Sequence, residues 1–163
     1  MAGGVKASLV SFLRYVGLVL QGSLRLNHDR VGQLYSIEKA SYAIFRETEQ
    51  PKAKGQTVIL VIGFRLKFIR SNPLLHWLFQ RVCILTTPFW SGMQGFKVKL
   101  WMVNPATKDY LGIYDWRGKR QAQAYLDYLL PILNFCSVKG SVWATQLHGQ
   151  EFETYLANQR LTY

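Results

Sequence analysis

The sequence predicts an α+β fold with the order β-α-β-β-α-β, and three observations carry that prediction. Residues 58–68 are apolar and β-branched at their start, as a strand requires. Residues 96–103 and 110–116 form two further apolar runs, joined by a turn-rich connection that opens on Asn104-Pro105. A helical pattern follows the first run and another follows the third.

The elements follow in order. The first helix opens at Asn72-Pro73, a capping side chain followed by a proline at the first helical position. Leu74, Leu75, Leu78 and Val82 give it an apolar side. Residues 86–94 contain Pro88 and Gly92 and read as a loop. The second helix follows Gly118, with Ala122, Leu126, Leu129 and Leu133 at helical spacing and Pro131 expected to kink its last turns. Residues 141–147 supply the fourth strand, and a short amphipathic tail covers 151–161.

Ahead of this unit, residues 5–26 read as an apolar helix interrupted by Arg14. The uninterrupted run falls short of the roughly 18 apolar residues a membrane span needs, and no signal-peptide cleavage pattern follows. Three roles fit it: covering the main domain, binding a partner protein, or lying in a membrane interface with Lys6, Arg14 and Arg25 near headgroups. Residues 27–40 are polar and turn-like, and 41–45 could form a short strand. Residues 47–56, with Pro51, Gly55 and charges of both signs, read as a linker. The expected organisation is an extension over 1–55 and one ferredoxin-like domain over 56–163. The expected location is cytoplasmic, with association at a membrane surface as the alternative.

Apolar residues make up 49% of the chain, enough for a packed core rather than a disordered segment. The net charge of +11 is spread over both parts, so the basic character is a surface property and not a tail. Cys83 and Cys136 have no metal-like or disulfide-scaffold spacing and read as buried thiols. His28, His76 and His148 lie far apart, which disfavours metal chemistry, and no phosphate-binding loop or nucleophile elbow is present. An open sheet face with aromatics fits RNA recognition in outline. The third strand lacks the aromatic register that such a face needs, so nucleic acid is disfavoured.

Alternation within the strands sorts their residues onto two faces. Leu60, Ile62, Phe64, Phe96, Val98, Leu100, Met102, Leu111, Ile113, Val142 and Ala144 are expected beneath the helices. Ile59, Val61, Arg65, Lys97, Lys99, Trp101, Tyr110, Gly112, Tyr114, Trp116, Trp143 and Thr145 are expected on the opposite face. That second set mixes aromatics and cations, and should be covered by a second subunit, a ligand, nucleic acid or the N-terminal helix. Asp115 is expected to cap or to pair locally with Arg117. A solvated edge is the plain alternative for Lys97 and Lys99, and packing is the alternative for Trp101, Trp143 and Tyr114.

Gly95-Phe96, Lys99 and Trp101, Gly112-Ile113-Tyr114, and Ala122 with Ala124-Tyr125-Leu126 together resemble the pattern of the small YdhR-type mono-oxygenase family of the dimeric α+β barrel superfamily. The likeness covers about residues 57–148. It implies a homodimer whose sheets pack open face to open face, each subunit holding a pocket between sheet and helices. It also implies cofactor-free oxygenation of a small aromatic or lipophilic ligand, with neither metal nor flavin. In such chemistry a base removes a proton and a cation or hydrogen-bond donor stabilises the resulting anion. On that reading Arg65, Lys99, Trp101, Tyr114, Trp116 and Trp143 bind the substrate and His76 is the candidate base. The competing reading is a non-enzymatic accessory subunit that docks to a membrane or a larger complex through residues 5–26.

Overall fold

A computed structural model describes residues 2–50, 56–67 and 72–161, with side chains from residue 9 onward. The expected linker around Pro51 and Gly55 and the far end of the first strand at Phe68 fall outside the described residues. The elements in chain order are α1 (Ala2–Leu20), β1 (Arg25–Asn27), β2 (Leu34–Ile37), β3 (Ala40–Glu49), β4 (Thr57–Phe64), α2 (Pro73–Ser91), β5 (Phe96–Val103), β6 (Tyr110–Arg117), α3 (Lys119–Cys136), β7 (Trp143–His148) and α4 (Phe152–Gln159).

All strands pair antiparallel in one sheet of order β1-β3-β5-β6-β4-β7, with β2 attached to β3. The segment β4-α2-β5-β6-α3-β7 is the ferredoxin-like split unit expected from the sequence. Residues 25–49, read largely as turns, instead extend this sheet: β3 runs for ten residues and pairs with the outer edge of β5. Local composition hides β3, because one of its two sides is paired to β5, far along the chain, and β1 and β2 in turn rest on β3.

α2 begins as expected. Asn72 Oδ1 accepts from the Leu74 amide at 3.0 Å, and Pro73 fills the first position. The helix then runs through the expected loop to Ser91, with Pro88 inside it. Burial of Thr87, Trp90 and Ser91 outweighs the hydrogen bond Pro88 cannot donate. α1 docks on this last turn: Ser11 Oγ donates to the Phe89 carbonyl at 2.6 Å, and Gly92 abuts the Ser11 backbone so closely that a Cβ there would collide with it.

The expected faces hold for β4 and invert for most of β5 and β6. Leu60 lies opposite Tyr114, and Tyr114 opposite Lys99, so these three share the face beneath α2 and α3. Trp101, Tyr110, Gly112 and Trp116 share that face too. Leu100, Met102, Leu111 and Ile113 point the other way, with Ile59 and Val61. Period-two alternation fixes the pattern within each strand but not the phase between strands, and a shift of one residue exchanges every side chain. A bulge between Phe96 and Val98 adds to this, placing Phe96 and Lys99 on one face although they are three residues apart.

The second face is covered by the chain itself. Phe152, Tyr155 and Leu156 of α4 and Tyr35 and Ile37 of β2 close over Ile59, Val61, Leu100, Met102 and Ile113, all buried. Trp143 lies across Gly63 on this side, where any Cβ would strike the indole. Asp115 also faces this side and pairs with Lys97 at 2.7 Å rather than with Arg117.

Candidate functional site

The inverted phase of β5 and β6 brings Lys99, Trp101 and Tyr114 together under the helices. They form the sheet side of a cavity of about 120 Å³. α2 contributes Phe79, Val82, Cys83, Thr86 and Trp90, and α3 contributes Leu129, Ile132, Leu133 and Cys136. Apart from Lys99 and the hydroxyls of Tyr114 and Thr86, the lining is carbon, sulfur and aromatic ring.

Gly112 makes room at its floor. The Tyr114 ring lies back over it, and a Cβ at position 112 would sit 2.6 Å from the tyrosine hydroxyl and 2.7 Å from a ring carbon. Gly112→Ala is therefore expected to push the Tyr114 ring into the cavity and cost about 1–3 kcal/mol. A denaturation midpoint unchanged from wild type would show that the ring has another place to go.

Lys99 is only 3% exposed. Its Nζ lies 3.0 Å from the Trp101 ring centroid, 4.9 Å from that of Tyr114 and 5.7 Å from that of Trp90. Its hydrogen bond to the Tyr125 hydroxyl is long, 3.5 Å, and among the described residues no carboxylate lies within ion-pair distance. Burial therefore holds its pKa well below the ordinary lysine value, and the neighbouring Arg46 guanidinium pushes the same way. A desolvated ring face favours the ammonium by about 2 kcal/mol or more, which offsets part of the several kcal/mol that taking an unpaired ion out of water costs.

The surrounding groups are all kept uncharged or cationic. Burial drives the Cys83 thiol up to about 11, and burial also raises the phenols of Tyr114 and Tyr125. Arg46 stands beside Trp101 across the β3–β5 ladder, and its Nη2 reaches Thr87 Oγ1 at 3.4 Å. Arg46 Nε and Trp101 Nε1 are buried donors without a hydrogen-bond partner among the described residues. Buried donors of this kind are satisfied in most folded proteins, so the Trp101 indole N–H marks a place where a ligand oxygen could be received, whereas Arg46 lines a separate groove with Trp77 and Arg81.

The other sequence candidates lie elsewhere. Trp116 is fully buried against Phe96 and Tyr125 and does not line the cavity. Arg65 makes a two-point ion pair with Asp109, at 2.6 and 2.7 Å, beside a separate groove that also holds Trp143. His76 Nδ1 is joined to the Tyr110 hydroxyl at 2.7 Å, and burial, then Lys108, lowers its pKa. Its other nitrogen is buried without a partner among the described residues. His76 and Lys99 thus sit at different places on one helix–sheet interface. Sequence reasoning missed Trp90, Cys83 and Arg46. Trp90 fell in a segment read as loop, and Arg46 in one read as linker margin. Among the described residues no group of three or more His, Cys, Asp or Glu side chains could hold a metal ion.

No known family profile matches the chain, and no curated protein matches it. Solved structures do. A major regulator of staphylococcal pathogenesis aligns over 86% of this chain and 93% of its own, with a TM-score of 0.52 at 11% identity. A heme-degrading enzyme from Listeria monocytogenes aligns over 82% and 92%, with a TM-score of 0.49 at 11% identity. A ferredoxin-fold protein related to antibiotic biosynthesis monooxygenases, also from Listeria monocytogenes, aligns over 85% and 89%, with a TM-score of 0.47 at 14% identity. At such identities a likeness speaks to fold alone, and the strand order itself gives this chain its ferredoxin-like α+β unit. Among the described residues no helix is long and apolar enough to cross a membrane.

Proposed function

We propose that this chain binds a small aromatic molecule bearing an acidic O–H or C–H in the cavity under α2 and α3, and that Lys99 removes that proton. The observation that carries this reading is the Lys99 amine: buried, facing three aromatic rings, with no carboxylate among the described residues to hold it as an ammonium. An amine whose pKa has fallen toward the operating pH is an effective proton acceptor. Once protonated, it forms an ion pair with the ligand anion it has made, and the apolar walls strengthen that pair. Trp101 Nε1, on a residue that lines this cavity, is the spare donor for the ligand oxygen. Lys99 thus takes the role the sequence reading gave to His76, whose imidazole is engaged with Tyr110.

Reaction of such an anion with oxygen, without metal or flavin, is the finer reading. It is supported by the YdhR-type sequence pattern, whose Lys99, Trp101 and Tyr114 converge here. The homodimer implied by that pattern would pair chains through the second sheet face. That face is filled here by α4 and β2, so we place any contact between copies outside it.

4-Nitrophenol tests the reading directly, because its anion is coloured. At a mildly acidic pH, where the free phenol is mostly protonated, the wild-type protein is expected to bind it and show the phenolate band. Lys99→Met should bind it, if at all, as the colourless phenol, while His76→Gln should behave as wild type. Identical spectra for wild type and Lys99→Met would remove Lys99 from the proton transfer. Absence of binding to the wild-type protein would count against the cavity itself.

A further inference from the structure

The outer surface of the helical layer is apolar where a soluble domain is normally polar. On α2, Leu74, Trp77, Leu78, Val82, Leu85 and Phe89 are 39–73% exposed and fall at helical spacing along one stripe. On α3, Tyr128, Ile132 and Phe135 continue it, with Phe135 83% exposed. Val82 and Ile132 line the same cavity, so the two stripes adjoin at its mouth. On α1, Leu9, Leu13, Val16 and Leu20 are exposed, and Phe12 meets Phe89 at a centroid distance of 6.3 Å, joining the third helix to the patch. Exposed apolar surface on this scale marks an interaction site.

The charges on the three helices are mostly cationic: α3 carries one acid, Asp127, which accepts from Gln123, beside Lys119 and Arg120. Neither α1 nor α2 contains a single Asp or Glu, and their charged residues are Lys6, Arg14 and Arg81. Two of the exposed aromatics carry a cation: the Arg81 guanidinium stands 5.1 Å from the Trp77 ring, and Lys67 Nζ stands 5.9 Å from the Phe135 ring. An aromatic ring with a long basic side chain beside it suits a bilayer interface, where the ring settles at headgroup depth and the cation reaches phosphate. A protein partner for this patch would have to tolerate a border that is cationic on α1 and α2 and holds one acid, Asp127, on α3, whereas anionic lipid is complementary to the cationic excess without further design.

We infer that the α1–α2–α3 face docks on an anionic lipid bilayer, lying on it without crossing it. The mouth of the Lys99 cavity then opens toward the lipid, so its ligand is a lipophilic aromatic taken from the membrane. This last step rests on the pocket reading above, while the docking itself does not.

Vesicle flotation of the full-length protein tests the docking. The wild-type protein is expected to float with vesicles of phosphatidylcholine and phosphatidylglycerol, to float far less with phosphatidylcholine alone, and to be released by high salt. Leu85→Glu and Leu74→Glu lie outside the cavity lining and should each lower partition about tenfold or more. Both should keep a wild-type circular dichroism spectrum and wild-type 4-nitrophenol binding. Trp77 emission should shift to the blue on vesicle addition. Three outcomes would overturn the inference: no flotation with either vesicle, flotation insensitive to both substitutions, or concentration-dependent self-association abolished by Leu85→Glu with no lipid binding. The last would assign the patch to a second copy of this chain. Retained nitrophenol binding in any of these cases would leave the pocket reading standing.

Discussion

Lys99→Met is expected to make the protein more stable while abolishing proton transfer from a bound phenol. Methionine fills nearly the volume of the lysine stem and leaves no nitrogen among the rings of Trp90, Trp101 and Tyr114. The lysine nitrogen is buried with one long hydrogen bond, so its removal should gain about 1–3 kcal/mol. The gain should depend on pH with a definite sign. The folded-state pKa of Lys99 is lowered, so between that value and about 10.4 the unfolded chain binds a proton that the folded one does not. Wild-type stability relative to the variant therefore rises with pH across that window, by up to about 1.4 kcal/mol per unit. The advantage of Lys99→Met is largest at neutral pH and below, and it shrinks as pH approaches 10. Chemical denaturation of both proteins along a pH series measures the difference directly. An advantage independent of pH would mean that Lys99 stays protonated in its pocket, and the proton-acceptor role would go with it.

Arg30→Met should be among the most damaging single changes on the opposite side of the sheet. Arg30 holds the fully buried Glu47 carboxylate at 2.8 and 3.2 Å, and reaches the exposed Glu153 at 3.0 Å. Removing the guanidinium leaves Glu47 unpaired in the core, at a cost of about 3–5 kcal/mol. The exposed leg matters little, and Glu153→Ala should cost at most about 1 kcal/mol. Burial already raises the pKa of Glu47 against the pull of Arg30. Without Arg30 it rises further, so the folded variant takes up a proton as pH falls and the deficit narrows in acid. The double variant Arg30→Met with Glu47→Leu should recover most of the loss. Failure to recover would show that Arg30 acts through packing of its stem against the β2–β3 hairpin and not through the buried charge.

The parts of the fold that were legible in the sequence are those whose signals act within a few residues. Asn72-Pro73 places the start of α2, the β-branched run places β4, and the spacing of Ala122, Leu126, Leu129 and Leu133 gives α3 its buried side. The order of these elements was enough to give the ferredoxin-like unit, because few topologies accommodate it. The resemblance also singled out Lys99, Trp101 and Tyr114 for a pocket between sheet and helices, whereas alternation put the same residues on the opposite face. Tertiary structure alone decided between the two. Leu60 had to choose between Tyr114 and its neighbours as a cross-strand partner, and alternation is equally satisfied by either phase. The same holds for α2 beyond Pro88, for the strands within residues 25–49, and for the cover that α4 provides. Each owes its stability to contacts between segments far apart in the chain, and no local pattern encodes a partner at that distance. The cavity inherits this dependence: its lysine and rings were written into β5 and β6, but the pairing of β4, β5 and β6 turned them inward.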